Sequence, residues 1–201
     1  MCATFRIDFE EDAETLREIA RRIEEKYGVD RTTGLSRNDI YPRTEAPIVS
    51  KDGIGLLQWG FPLPGDSSSR VLFNARSETV LDKPMFRSSA ARRCAVPATS
   101  FYEWDHRSGR AVRMQVRLET DPFFYMACLW NRFRKQDGTT LNAFVLLTTM
   151  PNGLISPFHD RMPCLLAPHD LDAWIADGQE PAEALGRLGP FQGAMRIEAA
   201  C

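Results

Sequence analysis

Residues 123–148 read FFYMACLWNRFRKQDGTTLNAFVLLT, and this stretch decides the fold because it holds two apolar runs separated by a turn. Phe123–Leu129 and Ala143–Thr148 have the length and composition expected of interior β-strands. Gly138, in the sequence Gln-Asp-Gly-Thr, marks a hairpin turn between them. The stretch therefore predicts two neighbouring antiparallel strands inside a β-sheet.

The sheet is predicted to extend on the amino-terminal side of this hairpin. In Val112–Leu118, apolar residues alternate with polar ones, and Arg113 and Arg117 fall on the polar face of a half-buried strand. Shorter strands are predicted at Gly55–Trp59 and Val71–Phe73.

Helices are predicted mainly towards the two ends of the chain. An amphipathic helix is predicted between an acidic turn at Glu10–Asp12 and Gly28, from apolar residues at helical spacing: Leu16, Ile19, Ala20, Ile23 and Tyr27. Three further short helices are predicted, over Met85–Arg93, Asp170–Ala176 and Pro181–Leu188. Mostly sheet with peripheral helices is an α+β fold. Because no repeat or linker interrupts the chain, residues 1–201 are expected to form one domain.

Two stretches are predicted to be irregular. Arg31–Pro47 is polar and ends close to the turn-forming pair Tyr41-Pro42. Phe61–Ser69 contains two prolines, a glycine and three serines, which is typical of a loop.

The overall composition excludes several classes of protein. With 43% apolar and 26% charged residues, the chain has ordinary globular composition. Its five cysteines form no CxxC pair, so neither a zinc site nor a redox motif is predicted, and no cofactor or metal is expected. The early charges at Arg6, Asp8 and Glu10 argue against a signal peptide, and no apolar run approaches the about 18–20 residues of a membrane span. We expect a cytoplasmic protein that does not bind membranes.

Basic residues are concentrated in one part of a nearly neutral chain. The formal net charge is −2, but the segment from Lys83 to Arg117 holds eight basic and only two acidic residues. Such a segment can form the basic face that a nucleic-acid backbone requires, with Arg87 and Arg113 as candidate DNA contacts. A solvated strand face explains the same charges equally well.

Cys2 is the candidate nucleophile. Removal of Met1 before such a small residue would leave an α-amine beside the Cys2 thiol. These two groups can capture one aldehyde twice, first as an imine on nitrogen and then as a thiazolidine through sulfur. The alternative interpretation is a small buried residue near a chain end, as free cysteines often are.

Glu103 and His159 are the candidate proton-transfer groups. Glu103 lies in Ser-Phe-Tyr-Glu-Trp, where large aromatics would desolvate its carboxyl and raise its pKa. An ion pair with Arg110 or Arg113 is the alternative. His159 lies in Ser-Pro-Phe-His-Asp-Arg-Met-Pro, where two prolines hold the loop, and it suits acid–base work or polarisation of a sugar hydroxyl. A purely structural histidine is the alternative.

Further candidates could bind substrate. Asn74 is predicted at the end of an apolar strand, where its amide can hold a hydroxyl or the terminal amine, or simply form a turn. Arg76 follows and can reach a phosphate. Trp59 and Trp104 could stack on unpaired bases, although a core position is favoured for Trp59.

Five motifs occur in a fixed order along the chain, over most of its length. They are Met-Cys at the start, Gln-Trp-Gly-Phe, Asn-Ala-Arg-Ser-Glu-Thr, Arg-Cys-Ala-Val-Pro-Ala-Thr-Ser-Phe-Tyr-Glu-Trp, and His-Asp-Arg-Met-Pro. This set resembles the SRAP family (SOS response-associated peptidase), whose members shield abasic sites in single-stranded DNA. The resemblance implies a mostly antiparallel, barrel-like β core with peripheral helices.

The resemblance also implies a role for each matching residue. Cys2 would form a covalent thiazolidine crosslink with the ring-opened sugar of an abasic site. Asn74 would position the terminus and the sugar, Glu103 would relay protons, and His159 would act on the opened sugar. The phosphates that flank the lesion would be held by Arg76 and Arg161. The implied partner is single-stranded DNA with abasic sites, and we expect a monomer.

Three departures from the family pattern affect the expected DNA binding. Ala3 and Thr4 stand where the family usually has glycine and arginine, so a phosphate contact is lost. Asp39 stands where the family has the asparagine of Asn-x-x-Pro. The chain also stops at Cys201 without the family's usual closing segment.

Two other functions remain open from the sequence. A cysteine peptidase could use Cys2 with His159 and Asn74, since thiol, imidazole and amide are the groups such an enzyme needs. A non-catalytic single-stranded DNA binder would show salt-sensitive binding that does not depend on Cys2.

Overall fold

The secondary structure consists mainly of short strands with a few helices. The computed structural model describes residues 2–10, 13–28, 39–63, 70–135 and 137–200. Its strands are β1 (Phe5–Arg6), β2 (Asp39–Ile40), β3 (Glu45–Ser50), β4 (Gly53–Trp59), β5 (Phe61–Pro62), β6 (Val71–Leu72), β7 (Asn74–Arg76), β8 (Arg93–Ala98), β9 (Ser100–Asp105), β10 (Val112–Leu118), β11 (Phe124–Arg134), β12 (Thr140–Thr149), β13 (Met162–Pro163), β14 (Leu165–Leu166) and β15 (Met195–Ala199). Its helices are α1 (Glu14–Tyr27), α2 (Pro84–Arg87), α3 (Leu171–Ile175) and α4 (Pro181–Gly186), with 3-10 turns at Val80–Asp82 and Pro168–Asp170.

Five strands close into a barrel. Their order is β12-β4-β3-β8-β11, and β11 pairs again with β12 to complete the ring. The predicted hairpin is part of this ring, since β11 and β12 pair antiparallel and Gly138 has a φ of 81° in the turn between them. The parallel pairs Ala143↔Gln58 and Phe144↔Trp59 join β12 to β4. The α+β class and the barrel-like, mostly antiparallel core are confirmed.

Trp59 fills the interior where the barrel closes. Its side chain is completely buried and packs against Phe5, Phe73 and Phe144, with ring centres 5.0, 5.8 and 6.4 Å away. The indole N–H donates a hydrogen bond to the Phe73 carbonyl at 2.8 Å. The core position of Trp59 is confirmed. Its predicted stacking on DNA bases is wrong, because no face of the ring reaches the surface.

A second sheet carries the start of the chain. Its strand order is β15-β10-β9-β1-β2. In β1, Phe5 is opposite Phe101 of β9 on one side and Ile40 of β2 on the other. This double pairing brings Cys2, three residues before Phe5, close to the part of β9 that carries Glu103.

The long elements agree with the sequence-based predictions. The amphipathic helix α1 buries Leu16, Ile19 and Ile23, and it ends before Gly28 as predicted. It begins at Glu14, and residues 11 and 12 of the predicted acidic turn lie outside the described residues. Strand β10 and the short helices α3 and α4 also lie where they were predicted.

Several strands and one helix differ from the predictions. Strand β2 and the first half of β3 lie in the stretch Arg31–Pro47 predicted to be irregular, and β5 lies at the start of the predicted loop 61–69. The rest of those two stretches includes residues 31–38 and 64–69, which lie outside the described residues. Helix α2 is shorter than predicted, and β15 was not predicted. Strands of two residues have no alternation to detect, so only their partners define them.

Membrane insertion through a helix has no support in the structure. Among the described residues, every helix is too short or too polar to cross a bilayer.

Candidate functional site

Cys2 is held in place from two sides. The Asn74 side-chain amide N–H donates a hydrogen bond to the Cys2 carbonyl at 2.7 Å. The Cys2 thiol donates to the carbonyl of Thr4 at 3.4 Å, and the same carbonyl accepts the backbone N–H of Tyr102 at 3.1 Å. Cys2 is therefore connected to β7 through Asn74 and to β9 through Thr4.

Asn74 occupies a different position in the sheet from the one predicted. It begins β7, which runs parallel to β12, whereas the sequence suggested that it ends a strand. Its Oδ1 atom is buried and accepts no hydrogen bond from any described residue. Asn74 thus donates to the Cys2 backbone and retains one acceptor atom inside the site.

The Cys2 thiol is protonated at neutral pH. The side chain is completely buried, and this burial together with the nearby charge of Glu103 raises the pKa of the thiol to about 12. The alternative interpretation of Cys2 as a buried residue is correct for its side chain. Its surroundings differ from an ordinary core position, however, because an amide and a carboxyl lie beside it.

Glu103 is a buried carboxyl with a strongly shifted pKa. It lies on β9, is 2% exposed and is opposite Met114 of β10. Burial raises its pKa to about 7, the positive charge at the amino terminus of the chain opposes this increase, and the negative charge of Asp160 adds to it. Arg113, one partner suggested for Glu103 from the sequence, instead pairs with Asp39 at 2.5 Å. A group with this pKa can donate or accept a proton near neutral pH.

The imidazole ring of His159 is predominantly neutral at pH 7. It lies in the loop between β12 and β13, where burial and the positive charge at the amino terminus lower its pKa. Its Nδ1 atom is 3.0 Å from the backbone N–H of Arg161 and 2.8 Å from the Asp160 carboxylate, and one nitrogen cannot serve both. The lowered pKa favours a neutral ring that accepts from Arg161. The proton then resides on Nε2, and Asp160, whose side chain is 78% exposed, is solvated.

Arg161, predicted to contact a phosphate, is buried and forms an ion pair with a carboxylate in the structure. Its side chain is only 7% exposed, and its two terminal nitrogens donate to both carboxylate oxygens of Glu78 at 3.0 and 2.7 Å. One of these nitrogens also donates to the Thr148 carbonyl at 2.7 Å. Arg161 therefore anchors the His159 loop to β12. Glu78 was not recognised from the sequence, although it lies in the motif Asn-Ala-Arg-Ser-Glu-Thr.

The family membership of the chain is clear from its sequence. A family model described as SOS response associated peptidase (SRAP) matches residues 1–199. The chain belongs to the SRAP family.

Similar proteins include bacterial and vertebrate SRAP relatives. YoqW of Bacillus subtilis is 33% identical over 146 residues, which cover 68% of this chain and 65% of YoqW. HMCES of Xenopus tropicalis is 26% identical over 161 residues, which cover 69% of this chain and 48% of HMCES. Both relatives are named abasic site processing proteins, and the matched region spans less than two thirds of each.

The fold is also found in solved structures. A crystal structure of a protein from Bacteroides thetaiotaomicron matches with a TM-score of 0.84 at 23% sequence identity. The match covers 98% of this chain and 91% of that protein. The SRAP fold of this chain therefore agrees with an experimentally determined one.

Four predicted residues of the SRAP site lie close together. The Asn74 amide binds the Cys2 carbonyl, and the charge of Glu103 acts on the Cys2 thiol. The positive charge at the amino terminus changes the pKa values of both Glu103 and His159. Cys2 thus has an amide and a carboxyl that titrates near pH 7 beside it, and the imidazole of His159 interacts with the same terminal charge as that carboxyl.

The side chains of this SRAP chain that were predicted to contact DNA differ in their exposure and in the partners that already engage them. Trp104 is 48% exposed, but it points to the face of β9 opposite Glu103, because side chains alternate along a strand. Arg76 is exposed. Arg87 is exposed as well, although its guanidinium donates to the Leu81 carbonyl at 2.5 Å. Arg113 is engaged by Asp39.

Proposed function

We propose that this protein crosslinks covalently to abasic sites in single-stranded DNA through Cys2, after removal of Met1. The observation that carries the proposal is the 2.7 Å hydrogen bond from Asn74 to the Cys2 carbonyl, beside the buried carboxyl of Glu103. Membership of the SRAP family and the names of its relatives support abasic DNA as the substrate.

The proposed reaction forms two new bonds to the aldehyde carbon, one from the Cys2 nitrogen and one from its sulfur, and releases one water. The Cys2 amine attacks the aldehyde carbon of the ring-opened sugar and gives a carbinolamine. Protonated Glu103 donates its proton to the leaving hydroxyl, which departs as water and leaves an iminium ion. The iminium N–H proton then passes to the Glu103 carboxylate, which gives the imine and restores the protonated carboxyl. The Cys2 sulfur then adds to the imine carbon, its proton passes through Glu103 to the nitrogen, and the thiazolidine ring is closed.

The protonation state of the thiol supports this order of steps. A thiol with a pKa of about 12 supplies almost no thiolate at neutral pH, so sulfur needs a base and acts last. The amine acts first, because an α-amine with its ordinary pKa of about 7.7–8.0 is partly neutral, and so nucleophilic, at pH 7. The same property argues against the cysteine peptidase, because such enzymes depend on a cysteine whose pKa is lowered.

Asn74 and His159 would orient the reacting groups. The Asn74 Nδ2 atom holds the Cys2 backbone, and its buried Oδ1 atom is suited to accept a hydrogen bond from the Cys2 amine. His159, with its proton on Nε2, would donate to a hydroxyl of the opened sugar. Both contacts need only a neutral side chain, which agrees with the lowered pKa of His159.

The enclosed position of Cys2 favours a single-stranded substrate. An aldehyde can reach this residue only if its nucleotide is turned out of any base stack, which costs least in a single strand. Trp104, exposed on the opposite face of β9, offers a surface on which a base farther along the strand can stack, and Arg76 offers a charge for a flanking phosphate.

Denaturing electrophoresis with a single-stranded oligonucleotide that contains one abasic site tests the proposal. The wild-type protein should give a stable, slower band whose mass equals protein plus DNA minus one water. Cys2→Ala keeps an amine but lacks sulfur, so its adduct should survive only after reduction with borohydride. Cys164→Ala, which removes a buried cysteine of the core, is the matched control and should crosslink like the wild type.

Two results would decide against the crosslink. No adduct from wild-type protein whose Met1 is removed, as shown by intact mass, would overturn the proposal. Equal, salt-sensitive binding of the same DNA by wild type and Cys2→Ala, without any adduct, would support the non-catalytic binder.

A further inference from the structure

Asp39 holds two arginines on the outer face of the five-stranded sheet. Its Oδ1 atom accepts from Arg6 Nε at 2.9 Å and from Arg6 Nη2 at 2.8 Å. Its Oδ2 atom accepts from Arg113 Nη2 at 2.5 Å. The Asp39 side chain is 11% exposed, whereas those of Arg6 and Arg113 are 34% and 26% exposed. The carboxylate therefore lies beneath two cations that reach the surface.

Aromatic rings surround these cations. The guanidinium carbon of Arg113 lies 3.6 Å from the ring centre of Tyr102, and that of Arg6 lies 5.9 Å from it. Arg113 is also the cross-strand neighbour of Trp104. Tyr41, whose side chain is as exposed as that of Trp104 at 48%, points its hydroxyl at Asp39 Oδ2, 3.4 Å away.

We call Arg6, Asp39, Tyr41, Trp104 and Arg113 the Asp39 surface. Exposed aromatic rings interleaved with arginines are the composition of surfaces that bind single strands, where bases stack and cations track the backbone. The carboxylate of Asp39 is unusual in such a surface, because it occupies the donors that a phosphate would use. Guanidinium groups bind carboxylate and phosphate with similar geometry.

We propose that Asp39 occupies the place of a DNA phosphate on the Asp39 surface, so that Arg6 and Arg113 can bind the strand only when the carboxylate releases them. This inference rests on the proposed function, which supplies single-stranded DNA as the partner. Asp39 then keeps reversible binding of undamaged strands weak, and lasting attachment depends on the covalent bond at Cys2. Specificity of this kind comes from weakening the competing complex.

Fluorescence anisotropy with an undamaged thymidine oligonucleotide, over a series of salt concentrations, tests the inference on Asp39→Asn. Freeing one or two cations should lower Kd roughly tenfold at low salt and steepen the slope of log Kd against log salt by about 0.7 to 1.4. Asp177→Asn is the matched control, because it removes the same charge and frees a lysine, Lys51, from an exposed pair at 2.7 Å. The control should change Kd much less.

Double variants with the net charge of the wild type provide the second measurement. Asp39→Asn combined with Arg6→Gln leaves only Arg113 released, and the combination with Arg113→Gln leaves only Arg6 released. Each should bind more tightly than the wild type, with a slope steeper by about 0.7. These variants leave fewer unpaired cations, so they extend the test if Asp39→Asn alone does not fold.

The outcomes separate this inference from the proposed function. Binding by Asp39→Asn and the folded double variants that is no tighter than that of Asp177→Asn would overturn the inference. Tighter binding confined to the Asp39 variants supports it, whether or not the abasic oligonucleotide is crosslinked. Loss of crosslinking in the wild type would overturn only the function assigned to Cys2.

Discussion

Glu103 shows how burial prepares a single carboxyl for proton transfer. Its pKa rises from 4.5 to about 7, so the folded protein binds this proton more tightly than the unfolded chain. The contribution of the Glu103 proton to the free energy of unfolding is complete below pH 4.5 and is lost as the pH rises through 7. Between these limits the wild type loses free energy of unfolding, by about 3 kcal/mol, because each pKa unit corresponds to about 1.4 kcal/mol.

Glu103→Gln should remove this pH dependence. We expect the free energy of unfolding of the variant, relative to wild type, to increase between pH 4.5 and pH 8, as measured by denaturant titration. Crosslinking at pH 7 should slow by about a hundredfold or more, because general acid–base groups contribute that much. Glu198→Gln, at an exposed position on β15, should behave like the wild type in both measurements. A variant at position 103 with unchanged pH dependence would contradict the assignment.

Individual side chains were predictable where their neighbours in sequence determine their environment. The aromatics beside Glu103 indicated desolvation, and the structure has that carboxyl buried. Arg161 could not be understood in this way, because its partner Glu78 lies 83 positions away in the chain. A free arginine and a paired one look identical in the sequence, so the ion pair of Arg161 with Glu78 could not be predicted.

At the level of elements, the turn at Gly60 connects β4 to β5 under tight constraints. Gly60 has a φ of 115°, which side chains rarely adopt, and its N–H donates to the Phe144 carbonyl at 2.7 Å. A Cβ atom at this position would lie 2.6 Å from Val71 Cγ2 and 2.8 Å from Val71 Cβ. The glycine is therefore required both by the backbone and by the neighbouring strand.

Gly60→Ala should destabilise the fold by about 2–4 kcal/mol, from backbone strain and overpacking together. Gly53→Ala is the matched control, since Gly53 has a φ of 100° and open space around its Cβ position. It should lose only the backbone contribution, about 1–2 kcal/mol. Denaturant unfolding of both variants measures the difference. Equal losses would show that the contact with Val71 has no cost.

Long elements were predictable because their pattern lies within the segment itself. Strands β11 and β12 are continuous apolar runs, and α1 has apolar residues at helical spacing. Helix α2 was predicted too long because Arg93 belongs to β8 instead, where its Nε atom donates to the Trp174 carbonyl at 2.7 Å. Contacts between distant segments set such boundaries, and no local pattern records them.

At the scale of the whole molecule, Trp59 lies in the core and Trp104 on the surface, so replacing each by alanine should have a different effect. Trp59→Ala should destabilise the protein by about 3–5 kcal/mol, because it empties the interior at the barrel closure and removes one of the two donors to the Phe73 carbonyl, the other being the Leu146 backbone N–H. Trp104→Ala should change stability by no more than about 0.5 kcal/mol. It should weaken binding of an undamaged single strand by about 1–3 kcal/mol.

Thermal unfolding and fluorescence anisotropy on the same two variants check these expectations. A large loss of stability in Trp104→Ala would mean that its ring is part of the core. Unchanged DNA binding in that variant would remove base stacking from its role.

The closure of the barrel was not visible in the residue pattern. The strands β4 and β12 are joined by two parallel pairs between segments far apart in the chain, and neither segment indicates its partner. Only the resemblance to the SRAP family predicted a barrel, and the pairing of β11 with both β8 and β12 confirms it. Composition and periodicity alone led no further than an α+β class.

The number of residues between Cys2 and Phe5 is fixed by the pairing of β1 and by the contact of Cys2 with Asn74. Phe5 is fixed on both sides by Phe101 and Ile40, so β1 cannot slide to absorb a change. One residue inserted before Phe5 would displace Cys2 by about 3.3 Å, the rise of one extended residue, and its carbonyl would move out of reach of Asn74. Slippage of β1 by one residue would instead turn Phe5 away from the interior. The pairing of a two-residue strand thus sets where the reactive terminus ends, and Ala3 and Thr4 act as a spacer that tolerates substitution better than insertion.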